Sequence, residues 1–76
     1  MELGKLKKII AEVLNIDADS ITEETTFVDD LGADSLDVFQ IIMGIEEEYD
    51  IEIDNETVEQ IQSVKDAAEA IRSITG

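Results

Sequence analysis

The fold depends most on Gly32-Ala33-Asp34-Ser35-Leu36-Asp37, where a long polar loop meets the best helix in the sequence. Asp34 is a good N-cap residue, and Asp37 lies three residues later, where its carboxylate can accept from a free backbone N–H. Ser35 then falls in the first helical turn, beside unpaired N–H groups and the positive end of the helix dipole. Such a position favours an attached phosphate, although a serine there most often serves only the cap.

The apolar residues that follow predict a helix over residues 35–49. At 100° per residue, five of them cluster on one side as the core face: Val38, Ile41, Ile42, Ile45 and Tyr49. Leu36, Phe39 and Met43 form a second apolar stripe on nearly the opposite side. This stripe is flanked by charge from Asp37, Glu46, Glu47 and Asp50. Burial on all sides is one explanation, but we favour an exposed docking surface for basic, apolar partners.

The block Asp29-Asp30-Leu31-Gly32-Ala33-Asp34-Ser35-Leu36-Asp37 is similar to the signature of acyl carrier proteins. The likeness continues through Glu46-Glu47-Glu48-Tyr49-Asp50 and covers essentially the whole chain. It implies that Ser35 carries 4′-phosphopantetheine, transferred from coenzyme A by a phosphopantetheinyl transferase. It also implies that three neighbours help the transferase recognise the site: Asp34, Leu36 and Asp37.

The same resemblance makes the second helix a docking surface for basic-surfaced synthases, reductases, dehydratases and acyltransferases. Seven residues would form this surface: Leu36, Asp37, Phe39, Gln40, Met43, Glu46 and Glu47. The chain departs from the family at Gln40, where glutamate is common, and at Asp54, where proline is usual. The missing charge at Gln40 should weaken some contacts with partners, whereas Asp54 can still cap a helix.

Helical spacing predicts a first helix over about residues 3–15, from Leu3, Leu6, Ile10, Val13 and Leu14. Residues 16–33 show no sustained period. We expect a long loop there, with a short turn at Ser20-Ile21-Thr22-Glu23 and three apolar anchors to the core: Ile21, Phe27 and Leu31.

The last third of the chain predicts two further helices. Residues 49–53 alternate like a strand but have no partner strand, so we expect a loop whose isoleucines turn inward. Asp54 or Asn55 then caps a short helix through about Ile61. A fourth helix follows Ser63, with its apolar stripe on Val64, Ala67, Ala68, Ile71 and Ile74. The sequence therefore predicts one all-α domain over residues 1–76, a four-helix bundle with three longer helices and a short third one.

Composition excludes several classes of function. The 76 residues include 20 acidic and 5 basic side chains, giving a net charge of −15, which disfavours nucleic acid and anionic membranes as partners. The chain has no cysteine or histidine, so thiol catalysis, thiolate metal sites and the usual general base that activates a serine are missing, and we expect no enzyme activity. No apolar run reaches the length of a membrane span, and we expect a cytoplasmic monomer.

The clustered acids make calcium binding the main rival to a carrier. An EF-hand loop read from Glu48 places Ile53 at the sixth position, which needs glycine. One read from Asp50 places Ile61 where the bidentate glutamate belongs. We therefore predict no specific metal site, only loose binding of divalent cations.

The function that fits best is a carrier of acyl thioesters in fatty acid synthesis. A free-standing carrier of polyketide or non-ribosomal peptide synthesis is the alternative, and an acidic interaction or calcium-binding module is a third. For the carrier, we expect the acyl chain to enter between the second and third helices. Four residues would line its path: Ile42, Ile45, Val58 and Ile61.

Overall fold

The computed structural model describes residues 3–76, and all regular structure in them is helical. The elements are α1 (Leu3–Leu14), a 3₁₀ helix (Ala18–Ser20), α2 (Ser35–Tyr49), α3 (Asn55–Gln60) and α4 (Val64–Thr75). The predicted bundle of three longer helices and a short third one is confirmed. A loop in place of a strand is also confirmed, although it covers residues 50–54, because Tyr49 is the last residue of α2. Within residues 3–76, no helix combines the length and the apolar run that crossing a bilayer requires.

One core joins the four α-helices and the loops between them. Its buried residues are Leu6, Ile10, Ile21, Phe27, Ala33, Ile41, Ile42, Ile45, Ile53, Ile61, Val64, Ala67 and Ile71. Most are branched aliphatic side chains, with Phe27 the single aromatic among them. The predicted loop anchors hold, because Ile21 and Phe27 are buried and Leu31 packs half-buried against the core.

Backbone hydrogen bonds tie the long loop to the segment that precedes α4. The Phe27 N–H donates to the Gln62 carbonyl at 3.0 Å, and the Val64 N–H donates to the Thr25 carbonyl at 2.9 Å. Between these bonds, Thr26 and Ser63 form an isolated antiparallel bridge. The loop is therefore fixed along the bundle by its main chain as well as by its apolar anchors.

Two sequence predictions about local structure need correction. The short turn predicted at Ser20-Ile21-Thr22-Glu23 forms two residues later, where the Thr25 N–H donates to the Thr22 carbonyl at 3.1 Å. Ser20 itself ends the 3₁₀ helix, and its hydroxyl donates to the Asp17 carbonyl at 2.7 Å. The Asp17 carboxylate caps that helix instead, because it accepts from the Asp19 N–H. Ile74 does not join the core and is 43% exposed, because it lies in the last turn of α4, where the buried stripe ends at Ile71.

Asp54 is the N-cap residue of α3, one of the two caps that the sequence predicted. Its Oδ1 accepts from the Thr57 N–H at 2.9 Å. Hydrogen bonds from the Thr57 hydroxyl and backbone hold the pKa of Asp54 below its usual value of 3.8. A lowered folded-state pKa means that this cap stabilises the fold above the unfolded-state pKa, and that the contribution is lost as pH falls through the lowered value.

Gly44 of α2 lies close to Ile9 of α1, and replacing it by alanine should destabilise the fold. A Cβ at residue 44 would lie 2.9 Å from Ile9 Cγ2, an atom on a stiff β-branched side chain. The resulting strain, about 1–3 kcal/mol, should exceed the gain in helix propensity of about 1 kcal/mol. Urea unfolding of Gly44→Ala should therefore show a lower midpoint than that of the wild type.

A double-mutant cycle with Ile9→Ala tests the cause. In the Ile9→Ala background the clash is gone, so Gly44→Ala should become neutral or stabilising. The same loss of stability in both backgrounds would show that the contact with Ile9 is not the reason.

Candidate functional site

A reciprocal cap begins α2 directly before Ser35. The Asp37 N–H donates to Asp34 Oδ1 at 2.9 Å, and the Asp34 N–H donates to Asp37 Oδ2 at 3.3 Å. This capping box, which the sequence predicted, gives a hydrogen-bond acceptor to the N–H groups of the N-cap residue Asp34 and the N3 residue Asp37. The N–H groups of Ser35 and Leu36 fall in the first turn, where an α-helix supplies no acceptor.

The loop before the cap holds Ser35 at a fixed, exposed place. The Thr26 N–H donates to the Asp30 carboxylate at 2.8 Å, and the Ala33 N–H donates to the Phe27 carbonyl at 2.9 Å. Gly32 takes a left-handed conformation (φ 66°), which a residue with a side chain rarely adopts. The chain thus turns sharply, buries Ala33 and places Ser35 on the surface as the first residue of α2.

This position fits an attached phosphopantetheine. The Ser35 side chain is exposed, so a long arm on its hydroxyl can extend into solvent without displacing the core. The helix N-terminus favours the phosphate, and both nearby carboxylates are already engaged as backbone acceptors in the cap. When bound, the arm supplies the thiol that this chain lacks.

An apolar depression of about 330 Å³ lies beside Ser35. Its other lining residues come from the long loop, α2 and α3: Val28, Val38, Phe39, Val58 and Glu59. A neighbouring depression of about 220 Å³ shares Val28 and Val38 and is also lined by Phe27 and Ile61. We call the first the Ser35 depression and the second the inner depression.

The four predicted acyl-lining residues separate into two pairs. Val58 lines the Ser35 depression and Ile61 lines the inner one. Ile42 and Ile45 lie in the core and line neither of these two depressions. Sequence reasoning missed Val28, which is 65% exposed, although an apolar residue following a buried anchor in a polar loop was a usable signal.

The predicted docking stripe is exposed along α2. Leu36, Phe39 and Met43 are 63%, 52% and 54% exposed, so the three large apolar side chains of the stripe lie at the surface. Gln40 and Glu47 are exposed beside them, and Asp37 is half-buried in the cap. Five of the seven predicted docking residues are therefore exposed on this face of α2, and a sixth, Asp37, caps its N-terminal end.

Glu46 has a structural contact that the sequence did not suggest. It is half-buried, and its Oε2 accepts from the Ile53 N–H at 2.8 Å, so it fixes the loop between α2 and α3. Ile53 is buried and lies in a loop, so among the described residues its N–H has no partner strand to bond to. The Glu46 carboxylate is the acceptor for that N–H.

Glu46→Ala should therefore destabilise the fold far more than Glu47→Ala. Removing the Glu46 acceptor leaves a buried N–H without this partner, at about 1–3 kcal/mol, whereas exposed Glu47 should change stability by less than about 0.5 kcal/mol. Chemical denaturation of both variants measures the difference. Equal midpoints would show that the bond to Ile53 contributes little.

Comparisons with known proteins agree on one family. Residues 4–71 match the family model described as the phosphopantetheine attachment site. The chain is 49% identical over 75 residues to an acyl carrier protein of Clostridium acetobutylicum, covering 99% of this chain and 97% of that one.

Two solved structures are similar over nearly the whole fold. A putative acyl carrier protein from Mycobacterium tuberculosis superposes with a TM-score of 0.87 at 33% identity, covering 95% of this chain and 97% of that one. The acyl carrier protein of Enterococcus faecalis gives a TM-score of 0.78 at 38% identity, covering 95% and 91%. The chain therefore belongs to the acyl carrier proteins, which are carriers and not catalysts and bear a 4′-phosphopantetheine group.

Proposed function

We propose that Ser35 bears the phosphopantetheine and that the chain carries acyl intermediates as thioesters between the enzymes of fatty acid synthesis. The observation that carries this proposal is the exposed Ser35 at the capped start of α2, beside an apolar depression. The nearest carboxylates, Asp34 and Asp37, are held in the cap, and the chain has no histidine to act as a base.

Attachment therefore needs an external enzyme. The Ser35 hydroxyl oxygen attacks the coenzyme A phosphorus that bears the pantetheine. The bond from that phosphorus to the adenosine 3′,5′-bisphosphate portion breaks, and the serine proton passes to a base of the transferase. Asp34, Leu36 and Asp37 form the immediate surroundings that this transferase would contact.

Intact mass after incubation with coenzyme A and a broad-specificity phosphopantetheinyl transferase tests the assignment. We expect the addition of one phosphopantetheine. No change in mass would refute the carrier function. The acyl groups found on protein isolated from its host then separate fatty acid synthesis from polyketide or peptide synthesis.

The exposed stripe on α2 supports docking by enzymes with basic, apolar surfaces. Leu36, Phe39 and Met43 would supply the apolar contacts, while Glu47 and Asp37 add negative charge that steers association. Gln40 lies between Leu36 and Met43 on this face and offers a neutral hydrogen-bonding group. The synthases, reductases, dehydratases and acyltransferases that use this face would share it in turn.

The two depressions support partial burial of the acyl chain, and an octanoyl-loaded form should melt well above the form bearing the free arm. Burial of six methylenes is worth about 5 kcal/mol before the ordering of the arm is subtracted. If half remains, the melting temperature should rise by about 10 °C in a domain of this size. Thermal denaturation followed by circular dichroism measures the rise.

Two matched variants test where the acyl chain lies. For each variant, the gain is the melting temperature of the octanoyl-loaded form minus that of the form bearing the free arm. Ile61→Ala should reduce the gain, because Ile61 lines the inner depression. Leu36→Ala, on the exposed stripe, should leave it unchanged. The reverse pattern would place the acyl chain on the surface of α2.

A further inference from the structure

A groove between α3 and α4 takes no part in the proposed attachment site. One depression of about 300 Å³ is bordered by Thr57 and Gln60 of α3 and has Ile61, Ala70 and Ile74 in its apolar lining. A second, of about 420 Å³, continues from it, since both share Thr57 and Ile74, and reaches the loop between α2 and α3. We call the two together the α3–α4 groove.

The α3–α4 groove is negatively charged around an apolar centre. Five carboxylates line it: Glu46, Glu52, Asp54, Asp66 and Glu69. None of its lining residues within the described part of the chain is basic. Ile74 lies where the two depressions meet and is 43% exposed, so the fold leaves an apolar side chain uncovered among these acids.

α3 separates this groove from the Ser35 depression. Thr57 and Gln60 line the groove, whereas Val58 and Glu59, on another side of the same helix, line the Ser35 depression. A ligand in the groove reaches Glu46 but none of the other six predicted docking residues, so Ser35 and the exposed apolar stripe on α2 stay accessible. Docking there is compatible with a second protein on α2.

We propose that the α3–α4 groove is a second docking site, for a protein segment that places one apolar side chain against Ile74 between lysine or arginine residues. The charge of the groove selects the basic flanks, and its apolar lining selects the central side chain. The site does not depend on the attachment of phosphopantetheine to Ser35.

Titration of the isotope-labelled chain with the peptide acetyl-Arg-Arg-Leu-Arg-Arg-amide tests the proposal by NMR. We expect saturable shifts of Thr57, Glu69, Ser73 and Ile74, larger than those of Phe39 and Met43. Glu69→Lys should weaken binding about fivefold, since it replaces an exposed attraction by a repulsion. Larger shifts along α2 would overturn the assignment.

Two controls separate the groove from the charge of the whole protein. Glu56→Lys makes the same change of charge at an exposed α3 residue that does not line the groove, and should weaken binding less than twofold. Equal effects of Glu56→Lys and Glu69→Lys would overturn the proposal. Ile74→Ala should weaken the leucine peptide but not one with glycine in its place, and equal loss for both peptides would also overturn it.

Discussion

A Ser35→Ala variant is expected to accept no phosphopantetheine while keeping nearly all of its helix content. The side chain is exposed, so its removal should change the free energy of unfolding by less than about 0.5 kcal/mol. The cap of α2 survives, because Asp34 and Asp37 make both of its side-chain hydrogen bonds. Loss of the modification without loss of helix content would therefore show that the Ser35 hydroxyl oxygen is the attachment atom.

Intact mass after transferase treatment, with circular dichroism as the check of folding, measures this result. Three other serines offer hydroxyls, and Ser73→Ala is a matched control because Ser73 is also an exposed helical serine. That control should be modified to completion. Modification that persists in Ser35→Ala, at Ser20, Ser63 or Ser73, would contradict the assignment.

Phe27→Ala should have the largest effect on stability and leave the chain marginally folded, with up to about half of the molecules unfolded at 25 °C. Phe27 is 1% exposed and anchors the long loop that presents Ser35. Replacing a buried phenylalanine by alanine costs about 3–5 kcal/mol, while a domain this small has a total stability of about 5 kcal/mol. The loop would also lose the side chain that holds its pairing with Gln62 against the core.

The adjacent residue provides the control. Val28 is 65% exposed, so Val28→Ala should change the free energy of unfolding by less than about 0.5 kcal/mol. Circular dichroism in a urea series compares the two variants. Similar midpoints for Phe27→Ala and Val28→Ala would show that the loop is held by its backbone bonds alone.

The helices and the cap at Ser35 were predictable because their causes are local. Apolar spacing predicted the buried side of α2, and the pair Asp34 and Asp37 predicted the capping box. The resemblance to acyl carrier proteins was equally local, since one continuous block around Ser35 carried it.

The contacts that fix the loops were not predictable, since they join residues distant along the chain. Pairing of Phe27 with Gln62 uses backbone atoms, which leave no pattern in the side chains. Glu46 looked like one more surface acid, because its partner, the Ile53 N–H, lies beyond the end of the helix. The Ser35 depression likewise depends on how α2, α3 and the long loop meet.

The shortness of α3 has a consequence for how the fold opens. It has six residues and no fully buried side chain, and a helix of that length has little stability of its own. Ile53 and Ile61, on either side of it, remain anchored in the core. The segment between them can therefore unfold locally, and its amides should exchange with deuterated water faster than those of α2. Because Val58 and Glu59 form one wall of the Ser35 depression, each such opening widens it. If the cargo chain is buried between α2 and α3 as proposed, the local opening free energy of this segment would govern its admission, while the rest of the bundle stays folded.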